Sequence, residues 1–392
     1  MTNSSSLKPG WKTWRFDQIA INVNDRIDDP SKAGVEYYVG LEHLDPDSLK
    51  IRRWGKPDDV EATKLCFKKG DIIFARRRAY QRKLGVAEFG GICSAHAMVL
   101  RPRTDVVLPE FLPFFMQSDL FMQRAVEISV GSLSPTINWK TMAMQQFGLP
   151  ALEEQQRIAA TFMALVEARE SERSVAISAQ KLLLSTLEEI WGNSKCRALS
   201  LGQLSSHITS GSRGWAEHYA SDGSSLFLRI TNMQRRTPHL DLSDLQKVNP
   251  PNTLESTRTR VVSGDVLLSI TAELGLVAVI PNDLGEAYVN QHLALVRINP
   301  SLAYSKYVAW YLCSPTGQRQ IARYNDSGAK AGMNLKNVAT LRIPMVEIDK
   351  QVSMASQLEL IYAASTDAIA REECTAAIQN RMSLEIFGGS NG

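Results

Sequence analysis

The stretch HAMVLR at residues 96–101 returns as HLALVR at residues 292–297, and this repeat decides how the chain is organised. The stretch GDIIF at residues 70–74 likewise returns as GDVLL at residues 264–268. Further matches in the same order are 16–20 with 201–205, 84–85 with 274–275, 111–116 with 307–312, 138–140 with 334–336, and 149–150 with 343–344. Any one of these matches is compatible with chance, but seven in the same order are not. The sequence therefore predicts a duplication with a period of about 190–196 residues.

Each repeat is predicted to contain a globular part followed by a long helix. Residues 1–150 and 193–344 mix short apolar runs with Gly, Pro and Asn turns, which is typical of strands with a few helices. Residues 151–192 and 345–392 lack proline, and their apolar residues recur at steps of three and four. These stripes predict two long helices packed as an antiparallel coiled coil. The predicted fold class is α+β: two tandem mixed α/β domains, separated by the two helices and related by a pseudo-two-fold duplication.

Charge divides along the same boundaries. The chain carries a net charge of +3, but residues 1–150 carry +4 and residues 193–344 carry +6. The helical stretches 151–192 and 345–392 carry −3 and −4. Basic globular parts indicate a polyanionic partner, and acidic helices indicate a protein partner.

Several classes of protein are not expected. No apolar run reaches the ~20 residues that a membrane span needs, and the polar start of the chain does not resemble a signal peptide. We therefore expect a cytoplasmic protein that does not contact a membrane. The five cysteines form no Cys-x-x-Cys motif, so no metal site is predicted. The absence of a Walker loop argues against an ATP-driven motor in this chain.

Two stretches resemble catalytic motifs only superficially. The sequence NPPN at residues 249–252 is similar to the Asn-Pro-Pro-aromatic motif of amino-methyltransferases, but its fourth residue is Asn252 rather than an aromatic. Asp58, Glu61 and Lys64 have the residue types of a nuclease site, but their spacing is wrong for it. No catalytic residue is predicted.

The densest basic run is ARRRAYQRK at residues 75–83, here called the first exit loop because it follows the predicted strand at residues 72–75. Arginine and lysine neutralise phosphates, and arginine also pairs with guanine through two hydrogen bonds. The alternative is a solvated charged loop, but a run of one sign at the end of a strand favours DNA. The candidate DNA-binding residues are Arg76, Arg77, Arg78, Tyr80, Arg82 and Lys83.

The second copy keeps the strand but changes the loop. It continues as SITAE at residues 269–273, without arginine. A constant framework with different loops is what two readers of different DNA half-sites need. The candidate residues of the second copy are Arg213, Arg235, Arg236 and Thr271.

A third candidate is the glycine-containing stretch at residues 131–138, with its counterpart at 327–334. Exposed backbone N–H groups of such turns bind phosphate, and Ser132, Ser134 and Lys330 add donors. An ordinary loop is the alternative. His96 and His292 occupy equivalent places beside apolar runs and are predicted to be structural.

The sequence LPALEEQQRIA at residues 149–159 resembles the LPPLxEQxRIA signature of the conserved helices in specificity subunits of Type I restriction–modification systems. The duplicated layout fits the same family. The second copy, at residues 343–352, lacks the Glu-Gln-x-Arg core of the signature. By this resemblance, the residues that bind a partner subunit are Glu153, Glu154, Gln155, Arg157 and Ile158.

The resemblance implies that residues 1–150 and 193–344 are target-recognition domains, each reading one half of a split double-stranded DNA sequence. It implies that the spacer helices, 151–192 and 345–392, dock two modification subunits that carry S-adenosylmethionine and methylate adenine. By the same resemblance, restriction subunits that use ATP and Mg²⁺ are possible further partners. The chain itself is expected to hold no cofactor and no metal. The alternatives are a DNA-binding subunit of another phage-defence complex and a self-contained DNA methyltransferase or nuclease.

Overall fold

A computed structural model describes residues 7–192, 196–324 and 332–388. The chain divides into two compact units. Unit 1 comprises residues 1–172 and 370–392, and unit 2 comprises residues 173–369. Each unit therefore contains one globular part together with part of each long helix. The division predicted from the sequence had four consecutive segments: 1–150, 151–192, 193–344 and 345–392. Since unit 1 combines both ends of the chain, the two compact units do not test this division, and it stays a prediction.

The first repeat contains ten strands and five helices in its described residues. Its strands are β1 (Lys12–Arg15), β2 (Ala20–Val23), β3 (Arg26–Ile27), β4 (Tyr38–Val39), β5 (Lys64–Phe67), β6 (Ile72–Phe74), β7 (Leu84–Val86), β8 (Gly91–Cys93), β9 (Met98–Pro102) and β10 (Gln146–Leu149). Its helices are α1 (Phe16–Ile19), α2 (Leu112–Gln117), α3 (Asp119–Glu127), α4 (Trp139–Ala143) and α5 (Leu152–Trp191).

The second repeat contains nine strands and six helices in its described residues. Its strands are β11 (Ala198–Ser200), β12 (Ser205–Ser210), β13 (Ser225–Leu228), β14 (Gln246–Val248), β15 (Val266–Ser269), β16 (Val277–Val279), β17 (Ala287–Val289), β18 (Leu293–Ile298) and β19 (Arg342–Pro344). Its helices are α6 (Leu201–Leu204), α7 (Leu254–Thr259), α8 (Ser305–Cys313), α9 (Pro315–Ala322), α10 (Leu335–Thr340) and α11 (Ile348–Phe387).

The main sheets of the two repeats have the same strand topology. The main sheet of unit 1 has the strand order β2-β9-β6-β7, and that of unit 2 has the order β12-β18-β15-β16. All neighbours in these two sheets are antiparallel. A second sheet accompanies each main sheet and differs between the units, with four strands in the order β3-β5-β8-β4 in unit 1 and three strands in the order β14-β13-β17 in unit 2. The predicted α+β fold and its duplication are confirmed.

Alternating side chains of the central strands build two cores in each unit. In β6, Ile72 and Phe74 join one buried cluster, whereas Ile73 joins another. This follows from the two-residue period of a strand, which points successive side chains to opposite faces. The run of apolar residues after Gly70-Asp71 therefore marks a strand buried on both faces, as β15 is in unit 2.

The long helices run antiparallel to each other within each unit. In unit 1, Arg169 of α5 donates to the Gln379 side chain of α11 at 3.1 Å, and Arg371 pairs with Glu172 at 3.1 Å. As the residue number rises from 169 to 172 along α5, the number of the contacted residue in α11 falls from 379 to 371, so the two helices run in opposite directions. In unit 2, the Ser365 hydroxyl of α11 lies 3.5 Å from the Ala176 carbonyl oxygen of α5.

An aromatic residue at the end of each long helix packs on a globular core. In unit 1, the Phe387 ring of α11 lies 5.8 Å from Phe111 and 5.9 Å from Phe115. In unit 2, the Trp191 ring of α5 lies 5.5 Å from Tyr307 and 5.6 Å from Tyr311. Phe387 and Trp191 are 196 residues apart in the sequence, as are Phe111 and Tyr307, so the two contacts are equivalent in the two repeats. The end of each long helix is thus part of the core of a globular domain.

The repeated Asp and Arg residues form the same ion pair in both units, with a buried carboxylate and a partly exposed guanidinium. Arg101 Nε and Nη2 donate to the two Asp71 carboxylate oxygens at 2.7 and 2.9 Å. Arg297 donates to Asp265 in the same two-bond geometry, with both distances 2.8 Å. Each carboxylate also accepts a backbone N–H of its own turn at 2.8 Å, from Lys68 and from Val262. These pairs fix the start of β6 and β15 against the neighbouring strand.

We expect Asp71→Asn to lower the free energy of unfolding by about 2 kcal/mol, because a hydrogen-bonded charge partner is lost in a buried place. Asp265→Asn should lose a similar amount. Chemical denaturation followed by circular dichroism measures both. Asp58→Asn, at an exposed carboxylate, is the control and should change little. Equal stability of Asp58→Asn and Asp71→Asn would show that the ion pair does not support the strand.

Candidate nucleic-acid interface

The first exit loop and the glycine-containing loop of unit 1 lie together. Arg77 forms a β-bridge with Thr136, and the Ile137 N–H donates to the Arg76 carbonyl at 3.0 Å. The Arg78 guanidinium donates to the Ser134 hydroxyl at 3.1 and 3.2 Å. Two separate stretches that the sequence singled out therefore build one surface.

The glycine-containing loop is a small hairpin that presents polar and apolar groups to solvent. Val130 and Thr136 exchange two backbone hydrogen bonds, of 3.1 and 3.0 Å. Between them, Ser132 is exposed, and the Leu133 side chain is 90% exposed. Tyr80, in the exit loop, is 55% exposed. Exposed rings and apolar groups beside cations are suited to contacts with nucleic-acid bases.

Two basic residues of the exit loop make contacts within the protein, and their assignment to DNA binding stays a prediction. Arg82 pairs with Asp47 at 2.6 Å and with Asp119 at 2.9 Å, so two carboxylates already neutralise its charge. Lys83 Nζ donates to the Leu41 carbonyl at 3.0 Å. Both side chains hold the end of the loop to neighbouring segments. A run of positively charged residues in the sequence does not show which of them will form ion pairs with carboxylates from distant parts of the chain.

Two of the remaining cations of the loop, Arg76 and Arg77, lie beside His96. Arg77 Nη1 lies 3.5 Å from His96 Nε2, and Arg76 donates to the Ala95 carbonyl at 3.0 Å. Burial lowers the pKa of His96, and the positive charges of Arg77, Arg76 and Lys64 lower it further. Among the described residues, Arg76, Arg77 and Arg78 have no ion pair with a carboxylate. This corner of unit 1 is therefore positively charged and suited to phosphate.

Unit 2 builds the equivalent corner with different side chains. The second exit loop comprises residues 270–275. Its Thr271 forms a β-bridge with Gly332, and the Thr271 hydroxyl lies 2.6 Å from His292 Nδ1. Arg235 pairs with Glu273 of this loop at 2.6 Å. Arg213 is exposed and follows Ser212, which forms a bridge with Asn290.

Two other candidates of the second copy are less closely tied to this corner. Arg236 is exposed next to Arg235, and its backbone has a positive φ of 65°. Lys330 lies outside the described residues. The DNA-binding roles of Ser132, Ser134 and the candidates of unit 2 stay predictions.

His96 and His292 are predicted to be structural, and the structure places both beside the exit loops. Each stands just before a central strand, β9 or β18, and contacts the equivalent exit-loop residue. The signal available in the sequence was their recurrence at the same place in both repeats. A histidine that recurs beside divergent loops is a candidate for orienting the loop side chains.

The partner-binding prediction for the helix signature needs correction at Gln155 and Ile158. Gln155 is 1% exposed, its Oε1 accepts the Leu108 N–H at 2.9 Å, and its Nε2 donates to the Val106 and Pro150 carbonyls at 3.0 Å. Ile158 lies in the core of unit 1. Both residues fix the start of α5 to its own domain. Glu153, Glu154 and Arg157 are at least partly exposed, so their partner role stays a prediction.

A cavity of about 780 Å³ in unit 2 is lined by the start of β15 and by α11. Lys306 Nζ and Trp310 Nε1 donate to Glu359 at 2.9 and 2.7 Å, and His239 Nε2 lies 3.4 Å away. Burial opposes ionisation of Glu359, but these partners lower its pKa to about 2. The cavity lies at the end of β15 opposite the exit loop, and it contains the Glu359 cluster and the Arg297–Asp265 pair. It therefore belongs to the anchoring of α11 in unit 2.

The described ranges contain neither a metal-binding cluster nor a membrane-spanning helix. No group of three or more His, Cys, Asp or Glu side chains in residues 7–192, 196–324 and 332–388 is arranged to hold a metal ion. None of the helices in those ranges is both long and apolar enough to cross a lipid bilayer.

Residues 58–179 match the family model of the Type I restriction modification DNA specificity domain. A stretch of 162 residues is 29% identical to the Type I restriction enzyme EcoDI specificity subunit of Escherichia coli, covering 39% of this chain and 34% of that protein. A stretch of 126 residues is 25% identical to the EcoBI specificity subunit of the same organism, covering 32% and 26%. The matched part thus spans about a quarter to a third of these relatives.

Solved structures are similar over nearly the whole chain. The S subunit of a Type I restriction–modification system from M. genitalium superposes with a TM-score of 0.64 at 14% identity, covering 99% of this chain and 98% of that one. A chain from a study of complex assembly and conformational transition of the type I R-M system gives 0.56 at 22% identity, covering 98% and 99%. At such identities these likenesses show the fold. Together with the family match, they confirm the predicted resemblance to Type I specificity subunits.

Proposed function

We propose that this chain is the DNA-recognition subunit of a Type I restriction–modification complex and has no catalytic site of its own. One observation carries the proposal: each unit has a corner built on the same buried framework but furnished with different side chains. The matched family domain, residues 58–179, covers the first of these corners. A framework that recurs beneath divergent loops suits a reader of two different half-sites.

In this proposal each unit reads one half of a split double-stranded DNA sequence. Arg76, Arg77 and Arg78 supply the positive charge of the first corner, and Arg213 supplies that of the second, where Arg235 is paired with Glu273. Two methyltransferase subunits would bind S-adenosylmethionine and dock on the acidic long helices. Restriction subunits that use ATP and Mg²⁺ would join as further partners, and the complex would work in the cytoplasm.

The test is to map methylated adenines in DNA from cells that express this chain with its methyltransferase partner. We expect one split motif whose two halves are separated by unspecified bases. Replacing residues 193–344 with the same part of a related subunit should change one half and leave the other. A motif in which both halves change together would contradict two independent readers.

Purified chain on its own should transfer no methyl group and cut no DNA. Methyl transfer or cleavage by pure chain would instead support the self-contained enzyme considered from the sequence. Identifying the proteins that purify with the chain separates the remaining alternative, because a subunit of another defence complex would bring a different effector and leave no methylated motif.

A further inference from the structure

Residues 77 and 271 occupy the same place in the two units. Arg77 forms its β-bridge with Thr136, and Thr271 forms its β-bridge with Gly332. Each is three residues beyond equivalent positions of the central strand, Phe74 and Leu268. The next residue has a positive φ in both copies, 59° at Arg78 and 58° at Ala272. The backbone at this place is therefore the same, although the sequences of the loops differ.

The contact made by the side chain is also the same in kind. Arg77 Nη1 lies 3.5 Å from His96 Nε2, and Thr271 Oγ1 lies 2.6 Å from His292 Nδ1. The two histidines are themselves equivalent, since both open the repeated stretch that contains the central strand. In unit 2, Gln291 Nε2 also lies 3.3 Å from His292 Nε2. Thus one structural position presents a long cationic side chain in unit 1 and a short hydroxyl in unit 2.

We infer that positions 77 and 271 are base-discriminating positions, each for the half-site of its own unit, and that His96 and His292 are positioning residues that orient them. This inference rests on the proposed function. Arg77 in this role donates two hydrogen bonds to guanine in the major groove, whereas Thr271 accommodates a different base through its hydroxyl and methyl groups.

Other arginines of the exit loop are less suited to reading bases. Arg78 is committed to Ser134, Arg76 to the Ala95 carbonyl and Arg82 to two carboxylates. Within the described residues, the side chain of Arg77 has one long contact with a histidine. Its other N–H groups remain available to a base. Because burial and the nearby cations lower the pKa of His96, its ring is neutral at neutral pH and can accept from a guanidinium.

A phosphate contact is the rival explanation for Arg77, and lysine distinguishes the two. Lysine keeps the charge that a phosphate needs but lacks the planar fork that pairs with guanine. The variants are therefore Arg77→Thr, Arg77→Lys and Thr271→Arg, each made in the full chain and expressed with the methyltransferase partner. Lys68→Thr is the control, because Lys68 is exposed at the opposite end of β6.

The readout is the map of methylated adenines. Arg77→Thr and Arg77→Lys should both change the preferred base at one position of the same half-site, with parental sites methylated about 5- to 150-fold less, the range expected for one bidentate base contact. Thr271→Arg should change one position of the other half-site. Lys68→Thr should leave the motif unchanged. If Arg77→Thr does not accumulate as folded protein, Arg77→Lys and Thr271→Arg provide the same test.

An unchanged motif with uniformly weaker methylation in Arg77→Thr, restored by Arg77→Lys, would overturn the inference and make Arg77 a phosphate contact. A changed base in both half-sites at once would also overturn it. Failure of the proposed function is distinct, because the parental protein would then give no split motif at all.

Discussion

Phe387→Ala is expected to lower the free energy of unfolding of unit 1 by about 3–5 kcal/mol, the range typical of a buried phenylalanine. Phe387 is 3% exposed and closes an aromatic cluster whose other members include Phe111, Phe115 and Phe162. Its removal leaves a cavity at the place where the end of α11 joins the core. Because two-state unfolding is not guaranteed for a chain with two compact units, a single melting curve does not isolate the stability of unit 1. Hydrogen exchange of β6 and β9 amides reports on unit 1 directly.

Leu384→Ala is the matched control for Phe387→Ala. Leu384 lies on the same helix one turn earlier and is 54% exposed, so its loss should leave exchange in unit 1 unchanged. Trp191→Ala removes the equivalent aromatic of unit 2 and should accelerate exchange in β15 and β18. Unchanged protection of β6 in Phe387→Ala would mean that the end of α11 does not stabilise the globular part of unit 1.

The repeat in the sequence was sufficient to predict the duplicated fold, because the buried strands need the same apolar pattern in both copies. It did not predict the role of Gln155. Its Oε1 accepts the Leu108 N–H, and the equivalent Gln351 accepts the Tyr304 N–H at 2.9 Å and donates to Val346 at 2.8 Å. The second helix signature thus keeps its glutamine although its neighbours differ. A glutamine that survives in a divergent signature indicates anchoring to the protein's own backbone.

The candidate DNA surface could be predicted only in part, for a reason that Arg82 illustrates. A run of charged residues shows only which charges are neighbours in the sequence. The carboxylates that pair with Arg82 belong to Asp47 and Asp119, which lie far from it in the sequence. The same limit applies to His96 and Arg77, which are separated by 19 residues and meet only when β6 and β9 pair. Pairing of strands brought these groups together, and no local pattern contains that information.

Arg76→Ala combined with Arg78→Ala is expected to weaken binding of the full chain to a random-sequence DNA duplex by about two orders of magnitude at 0.1 M salt. The physical reason is the release of counterions, since removing one cation from a phosphate lowers the dependence of log K on log salt by about one. The slope should therefore fall by about two. The measurement is fluorescence anisotropy over a series of salt concentrations, and the duplex needs no known target because phosphate contacts do not depend on sequence.

Lys68→Ala combined with Lys69→Ala removes the same charge from the other end of β6 and separates a local contact from a general effect of net charge. Both lysines are exposed, and they precede the turn at Gly70, whereas Arg76 and Arg78 follow the strand. If DNA lies on the corner formed by the exit loop and the glycine-containing loop, the lysine variant should keep the parental slope. Equal flattening by the two variants would mean that DNA senses only the total charge of unit 1. A flattened slope in the lysine variant alone would place the DNA at the opposite end of the strand.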